Sequence, residues 1–145
     1  MATTAAITIS SDIGMGASVS KSMNLTKAGA LTDIEETTGF SRRKLAATTA
    51  VDLITMANEL VEPSDNTAAK VYIQNIGDGK GSIDKSTYVT VSVGDTGGTT
   101  QQVGRLYGGD WMLIPWDAVA ATSHDIYAKA STAEAMTIEY MAFIE

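Results

Sequence analysis

The chain has 145 residues, with 17 acidic and 10 basic side chains, a net charge of −7 at pH 7 and no cysteine. This length is typical of one domain, and the lack of cysteine excludes disulfides and thiolate metal sites. The acidic balance argues against binding nucleic acid through its phosphates. The single histidine, His124, excludes a multi-histidine metal centre and disfavours Ser-His-Asp catalysis.

The charge is unevenly distributed along the chain. Residues 1–44 carry five basic and four acidic groups, whereas residues 45–145 carry five basic and thirteen acidic groups. No stretch approaches the roughly 18 apolar residues of a membrane span. Residues 1–20 lack both the basic start and the apolar segment of a secretory signal. We therefore expect a soluble protein made in a cytoplasm, with neither membrane nor nucleic acid as a partner.

The N-terminal segment, residues 1–39, is rich in Ser and Thr and predicts two short strands. Apolar and polar residues alternate over residues 5–9 and again over residues 19–25. Phe40 is the first aromatic residue of the chain, so this segment has little from which to build a core. We predict an extended arm or added strands that bury their apolar positions on the body, residues 40–145, or on another chain, within a single domain overall.

Alternation of apolar and polar residues, with a period of two, also dominates the body. Val89, Val91 and Val93 form one face of the clearest strand, and residues 70–74 repeat the pattern. The glycine-rich run 77–82 lies between these two strands. We therefore predict a hairpin that makes them antiparallel neighbours.

Residues 52–61 are the best helix candidate, and Pro63 would end a helix soon after them. Residues 48–51, however, lead into this segment as a strand would. Helix and strand both remain open here. Residues 33–36 are compatible with a single turn of helix.

Four further strands are predicted over residues 101–107, 110–116, 126–130 and 137–144. Pro115 suggests an edge or a strand end, because proline cannot donate to a ladder. The last strand is apolar on both faces, so we expect the N-terminal segment or a neighbouring subunit to cover its second face, which carries Met141 and Phe143. The pattern predicts an all-β fold, an antiparallel two-sheet sandwich of jelly-roll or immunoglobulin-like type with an extended N-terminal arm.

The candidate sites for catalysis or metal binding are weak. The glycine-rich run lacks the spacing of a phosphate loop and the bidentate acid of a calcium loop, which leaves only a loose cation site at Asp78 and Asp84. His124 and Asp125 point to opposite faces of a strand and so form no relay. The acid pairs that glycoside hydrolysis would need, 33/35 and 110/117, are expected by coincidence among 17 acids. We expect no enzyme, cofactor or metal.

The aromatic residues point to an interface or to a platform for sugar rings. Strand alternation sends Trp111 and Trp116 to opposite faces, so one of them is free to anchor an interface, and we expect it to be Trp116 beside Pro115. The only basic cluster of the sequence, residues 42–44, is either a solvated strand edge or a contact for an acidic neighbouring surface. The candidate interface residues are Arg42, Arg43, Lys44, Trp116, Met141 and Phe143.

Segments 69–77, 88–94, 103–116 and 137–143 resemble small β-sandwich virion proteins of tailed bacteriophages, including the capsid cement or decoration proteins also found in cyanophages. This resemblance implies a structural protein on the capsid surface that bridges neighbouring subunits of the major capsid protein. The two apolar faces of the last strand and the scarcity of aromatic residues in the N-terminal half predict a homo-oligomer, and the resemblance favours a trimer. A tail or fibre module that binds a receptor or carbohydrate is the alternative, and a small hydrolase is a more remote one.

Overall fold

The computed structural model describes residues 4–9, 19–25, 36–46, 48–54, 68–78, 82–94, 100–117 and 124–144. Eleven strands and no α-helix occur in this part of the chain. The strands are β1 (Thr4–Ile9), β2 (Val19–Asn24), β3 (Glu36–Thr37), β4 (Ser41–Leu45), β5 (Val51–Ile54), β6 (Ala68–Asn75), β7 (Tyr88–Gly94), β8 (Gln101–Tyr107), β9 (Trp111–Asp117), β10 (Asp125–Ala130) and β11 (Met136–Ile144).

Two antiparallel sheets pack against each other and form the sandwich. The four-stranded sheet has the order β5-β10-β7-β8, and the five-stranded sheet has the order β3-β11-β6-β9. Strand β4 also pairs with β11, along residues 136–140, and β3 pairs with residues 143–144, so β3 and β4 share one edge. The predicted all-β sandwich is confirmed.

The strand order distinguishes between the two predicted sandwich types. From β4 onward every connection changes sheet except the one from β7 to β8. Eight strands in the paired orders β4-β11-β6-β9 and β5-β10-β7-β8 form two Greek keys, which is jelly-roll topology. The fold is therefore a jelly roll and is not immunoglobulin-like.

The predicted hairpin between β6 and β7 is wrong. These strands lie in different sheets, because β6 pairs with β9 and β11 whereas β7 pairs with β8 and β10. The glycine-rich connection carries the chain across the sandwich and starts at Gly77, whose φ is +76°. Alternation identified the core face of each strand correctly, but a strand with a suitable face can lie in either sheet.

The core fills the space between the sheets. Its fully buried side chains come from the faces that alternation predicted, and they include Val71, Ile73, Val89, Val91, Ile126, Ala128, Ile138 and Ala142. Of the two alternatives left open for residues 52–61, the structure shows the strand at the start of the segment, since residues 51–54 form β5 on the edge beside β10. A β-strand suits this site because Leu53 and Ile54 are buried there. Residues 55–61 lie outside the described residues.

The N-terminal segment contains both predicted strands. β1 and β2 pair with each other in an antiparallel two-stranded ribbon, and no other described strand extends it. Leu25, directly after β2, is buried. An isolated hairpin is only marginally stable in water, so the ribbon depends on contacts with the sandwich. The division into an arm and a body at residue 39 stays a prediction. Of the single turn proposed for residues 33–36, residues 33–35 lie outside the described residues and Glu36 begins strand β3.

Candidate interaction surface

The outer face of the five-stranded sheet is apolar and aromatic. In β6, Val71 and Ile73 point into the core, so Tyr72 between them points outward. The same alternation places Trp111 and Leu113 outward on β9. We call this surface the aromatic face, and its members are Phe40, Tyr72, Trp111, Leu113, Met141 and Phe143.

Three rings of the aromatic face form a contiguous row. Phe40 meets Tyr72 edge to face with ring centroids 6.2 Å apart, and Tyr72 meets Trp111 in a tilted arrangement at 6.3 Å. Phe40 is nevertheless 70% exposed and Trp111 47% exposed. Large rings are seldom left this open on a monomer surface, and contiguous apolar patches commonly mark interaction sites.

Tyr72 is held in place by a polar neighbour on its own strand. Its hydroxyl donates a hydrogen bond of 2.6 Å to Gln74 Oε1. Burial, and secondarily the negative charge of Glu139, raise the pKa of the Tyr72 hydroxyl above its ordinary value of 10.0. The hydroxyl therefore stays neutral at physiological pH.

Two depressions flank Phe40. One has a volume of about 180 Å³ and purely apolar walls, which come from Ala5, Leu25, Phe40, Tyr72, Trp111, Leu113 and Phe143. The other, of about 530 Å³, is shallow and is lined by Phe40, Arg42 and Glu139. Ala5 of β1 and Leu25, directly after β2, share this depression with Phe143, so the N-terminal segment lies beside part of the second face of β11.

The basic cluster lies on β4, at the edge of the aromatic face. Arg42 Nε donates to Glu139 Oε2 at 2.8 Å, directly across the pair of strands, although the Arg42 side chain is mostly exposed. The Arg43 guanidinium donates to the Asp52 carbonyl and so ties the edges of the two sheets together. Lys44 is exposed. Arg42 and Arg43 thus brace the sandwich and also present charge to solvent.

The prediction that Trp116 is the exposed tryptophan is wrong. Trp116 is only 5% exposed and belongs to the core, and its Nε1 donates to the His124 carbonyl oxygen at 2.7 Å. The two tryptophans do lie on opposite faces of β9, as alternation required. Trp116 shares the inward face of β9 with Met112 and Ile114. The exposed tryptophan is therefore Trp111.

Met141 and Phe143 lie on the aromatic face, where both are half-buried. Their position on the second face of β11 agrees with the alternation pattern. Phe40, by contrast, was not recognised as a member of this surface. Its only signal was its place just before the basic cluster, because a residue at the start of a strand has no alternation to orient it.

The edges of the sheets carry features that discourage strand addition. Pro115 lies in edge strand β9, as predicted, and removes a donor from it. Edge strand β8 has a bulge at Val103, which has no partner on β7. Strand β4 carries three successive cations, and the Asp52 carbonyl of β5 accepts from Arg43. These features disfavour addition of a further strand at the edges of β4, β5, β8 and β9, so association is expected through side chains.

The loose cation site proposed at Asp78 and Asp84 is only an acidic rim. Both residues line a depression of about 440 Å³ together with Glu134. Asp78 Oδ1 accepts from the Ser82 N–H, and hydrogen bonds from Ser86 lower the pKa of Asp84. Among the described residues, no group of three or more acidic or histidine side chains is placed to hold a metal ion.

The structure describes only part of the other chemical candidates. His124 contributes its backbone carbonyl to Trp116, and Asp125 beside it is buried with the Tyr127 hydroxyl 3.5 Å away. Acids 33 and 35 and the side chain of residue 117 lie outside the part that the structure describes. Within that part, no helix is long and apolar enough to span a bilayer.

No family model matches the chain, and no curated protein matches it. Among solved structures, the chain is similar to one from Bacillus endospore appendages, described as a novel family of disulfide-linked pili. The two are 19% identical with a TM-score of 0.43, and the match covers 79% of this chain and 93% of that one. The present chain contains no cysteine.

Proposed function

We propose that this chain is a structural protein of an assembled particle, acting through protein contacts made by the aromatic face and the basic strand β4. The observation that carries the proposal is the exposure of Phe40 and Trp111 on a sheet face while the sheet edges are protected. The resemblance to virion proteins suggests the particle: the capsid of a tailed phage, whose neighbouring subunits this protein would bridge as a cement protein. Jelly rolls serve viral capsids and lectins alike, so the fold alone is only an analogy.

The mechanism is linkage between binding and assembly. A protein that binds the assembled shell but not its separated subunits shifts the equilibrium toward the shell. The gain is about 2.7 kcal/mol per site when free protein is a hundredfold above Kd. Repetition over many equivalent sites turns this modest term into a large effect on the particle.

The proposed contacts are of two kinds. Trp111, with Met141 and Phe143 beside it, supplies apolar area, and the exposed side chains of Arg42, Arg43 and Lys44 supply charge that favours an acidic neighbouring surface. Salt screens exposed charges over a distance of about 8 Å at physiological ionic strength, whereas burial of apolar area is insensitive to screening. The two kinds of contact therefore respond differently to salt.

Two measurements on particles test the proposal. Negative-stain images of virions labelled with an antibody against this protein should show label on the capsid. Particles with the protein should also melt at a higher temperature than particles without it. The gain should shrink with Arg42→Ala/Arg43→Ala at low salt and be lost with Trp111→Ala at any salt. Equal melting with and without the protein, or label confined to the tail, would contradict the capsid role.

A carbohydrate-binding tail or fibre module is the second candidate. Trp111 is half-exposed and paired across the strands with Gln74, while Gln74 lies opposite Glu139, so an open ring has amide and carboxylate groups beside it. A sugar ring can stack on tryptophan while its hydroxyls bond to such groups. A saccharide array read out with the wild-type protein and Trp111→Ala separates this function from the first.

A further inference from the structure

We infer that the aromatic face pairs with the same face of a second copy, each copy inserting its Phe40 ring into the other's apolar depression. This inference rests on the proposed function and deepens it: the apolar contacts of the aromatic face are made with a second copy of the chain, Arg42 lies at the rim of that contact, and Arg43 and Lys44 of β4 stay available to the shell. It rests on three observations: a projecting ring, a matching cavity and a rim that carries both signs of charge.

The ring and the cavity match in size. Phe40 is the most exposed large apolar side chain of the described residues, at 70%. The depression next to it, of about 180 Å³, has no polar wall and is bordered by Tyr72, Trp111 and Phe143. An apolar cavity of about 150 Å³ is large enough to hold a benzene molecule. A phenyl ring is therefore a suitable occupant.

Both elements lie side by side on one surface. A two-fold interface uses the same patch on each subunit, so a projecting group and its receptor must both belong to that patch. Phe40 forms a wall of the depression and also projects beside it, which brings the two insertions close to the axis. Two equivalent insertions then form at once.

The charges at the rim are self-complementary. Arg42 and Glu139 line the shallow depression on the other side of Phe40 and carry opposite signs. Because both signs of charge lie on the rim of one patch, an arrangement about a two-fold axis close to Phe40 is available in which the Arg42 of each copy faces the Glu139 of the other. The whole chain carries a net charge of −7, so moderate salt should strengthen the pairing by screening the long-range repulsion between copies.

The test is sedimentation velocity of the full chain from about 1 to about 500 μM, a range that spans Kd values of weak and moderate protein contacts. The wild type should form a dimer. Phe40→Ser, which removes the ring, and Leu113→Trp, which fills the cavity, should each raise Kd at least about tenfold. Ile83→Ser is the matched control, because Ile83 is also an exposed apolar residue, at 48%, but does not belong to the face. Circular dichroism checks that each variant is folded.

Mixing the two defective variants, Phe40→Ser and Leu113→Trp, provides the decisive measurement. Phe40→Ser removes one of the seven side chains that line the cavity but keeps the other six, and Leu113→Trp keeps the ring. A mixed dimer therefore regains one of the two insertions, whereas each variant alone has none. Heterodimer formation above that of either variant supports the inference. A monomeric wild type, a trimer that Phe40→Ser leaves intact, or a mixture no better than its components overturns it. None of these results depends on particle binding, so a failure here is separate from a failure of the capsid role.

Discussion

Asn75 Nδ2 donates a hydrogen bond of 3.0 Å to the carbonyl oxygen of Leu106, and this bond joins the two sheets of the jelly roll. Asn75 is 1% exposed, and its Oδ1 accepts from the Gly77 N–H at 3.0 Å. Its backbone N–H and carbonyl bond to Asp110 and Gly109. One buried amide thus fixes where β6 ends and how the connections beside it are arranged.

Asn75→Ala should lower the free energy of unfolding by about 2–3 kcal/mol, because it leaves the Gly77 N–H without its buried acceptor and removes the bond between the sheets. Urea unfolding followed by circular dichroism measures the change. Gln102→Ala, which removes an exposed amide from β8, is the control and should change stability by less than about 0.5 kcal/mol. Equal effects of the two substitutions would contradict the role given to Asn75.

The two tryptophans should behave in opposite ways. Trp116→Ala leaves a cavity in the core and an unsatisfied carbonyl at His124, so it should cost about 3–5 kcal/mol, whereas Trp111→Ala should cost less than about 1 kcal/mol. Acrylamide should quench the fluorescence of Trp116→Phe, which retains Trp111, more strongly than that of Trp111→Phe. Stronger quenching of Trp116 would show that the faces of β9 are assigned the wrong way round.

Gly39 and Gly77 both have a positive φ, but only Gly77 lies close to another part of the backbone. Substituting each by alanine therefore distinguishes the cost of backbone strain from the cost of steric overlap. A Cβ at Gly77 would overlap with the Ser82 carbonyl oxygen, while a Cβ at Gly39, with φ of +69°, would meet nothing within 4 Å. Gly39→Ala should therefore lower the free energy of unfolding only by the strain of placing alanine in a left-handed conformation, about 1–2 kcal/mol. Gly77→Ala should cost clearly more, as measured by thermal unfolding, and an equal cost would argue against the close approach of Ser82.

The acidic rim should contain one carboxyl group of lowered pKa. The side-chain and backbone hydrogen bonds of Ser86 hold the pKa of Asp84 below its ordinary value of 3.8. A depressed folded-state pKa favours the folded state above the unfolded pKa, and this contribution is lost as pH falls through the folded pKa. Carboxyl chemical shifts followed by NMR during acid titration should report it. Ser86→Ala should move the pKa back toward the ordinary value, whereas Ser92→Ala should leave it unchanged.

Removal of the N-terminal ribbon should leave the jelly roll folded. Among the described strands, β1 and β2 pair only with each other, so deletion of residues 1–35 breaks no ladder of the sandwich. Deletion of residues 1–39 should destabilise the protein more, because it also removes β3 and the two hydrogen bonds between Thr38 and Ala142. Thermal unfolding compares the two deletions. We also expect removal of residues 1–39 to abolish attachment to particles, and binding of the same truncated protein to depleted particles measures this.

The sequence by itself determined the β character of the chain and the buried face of most strands. A strand with one apolar and one polar face has only one way to lie on a core, which is why Val89 and Val91, and likewise Val71 and Ile73, are buried as predicted. Pro115 predicted an edge for a local reason, since a residue without an N–H cannot bond on both sides. These properties depend on residues close together in the chain.

Only the tertiary structure decided which face of a doubly apolar strand is buried and which strands become neighbours, because the local sequence pattern favours neither outcome. Strand β9 is apolar on both faces, so alternation separated Trp111 from Trp116 but could not tell which tryptophan meets the opposite sheet. Strands β6 and β7 each have one good core face, and whether they become neighbours depends on pairing with β10 and β11, far along the chain. The aromatic face likewise exists only because β6, β9 and β11 are brought side by side. Long-range pairing depends on the packing of the whole sandwich, and for that reason no single segment encodes it.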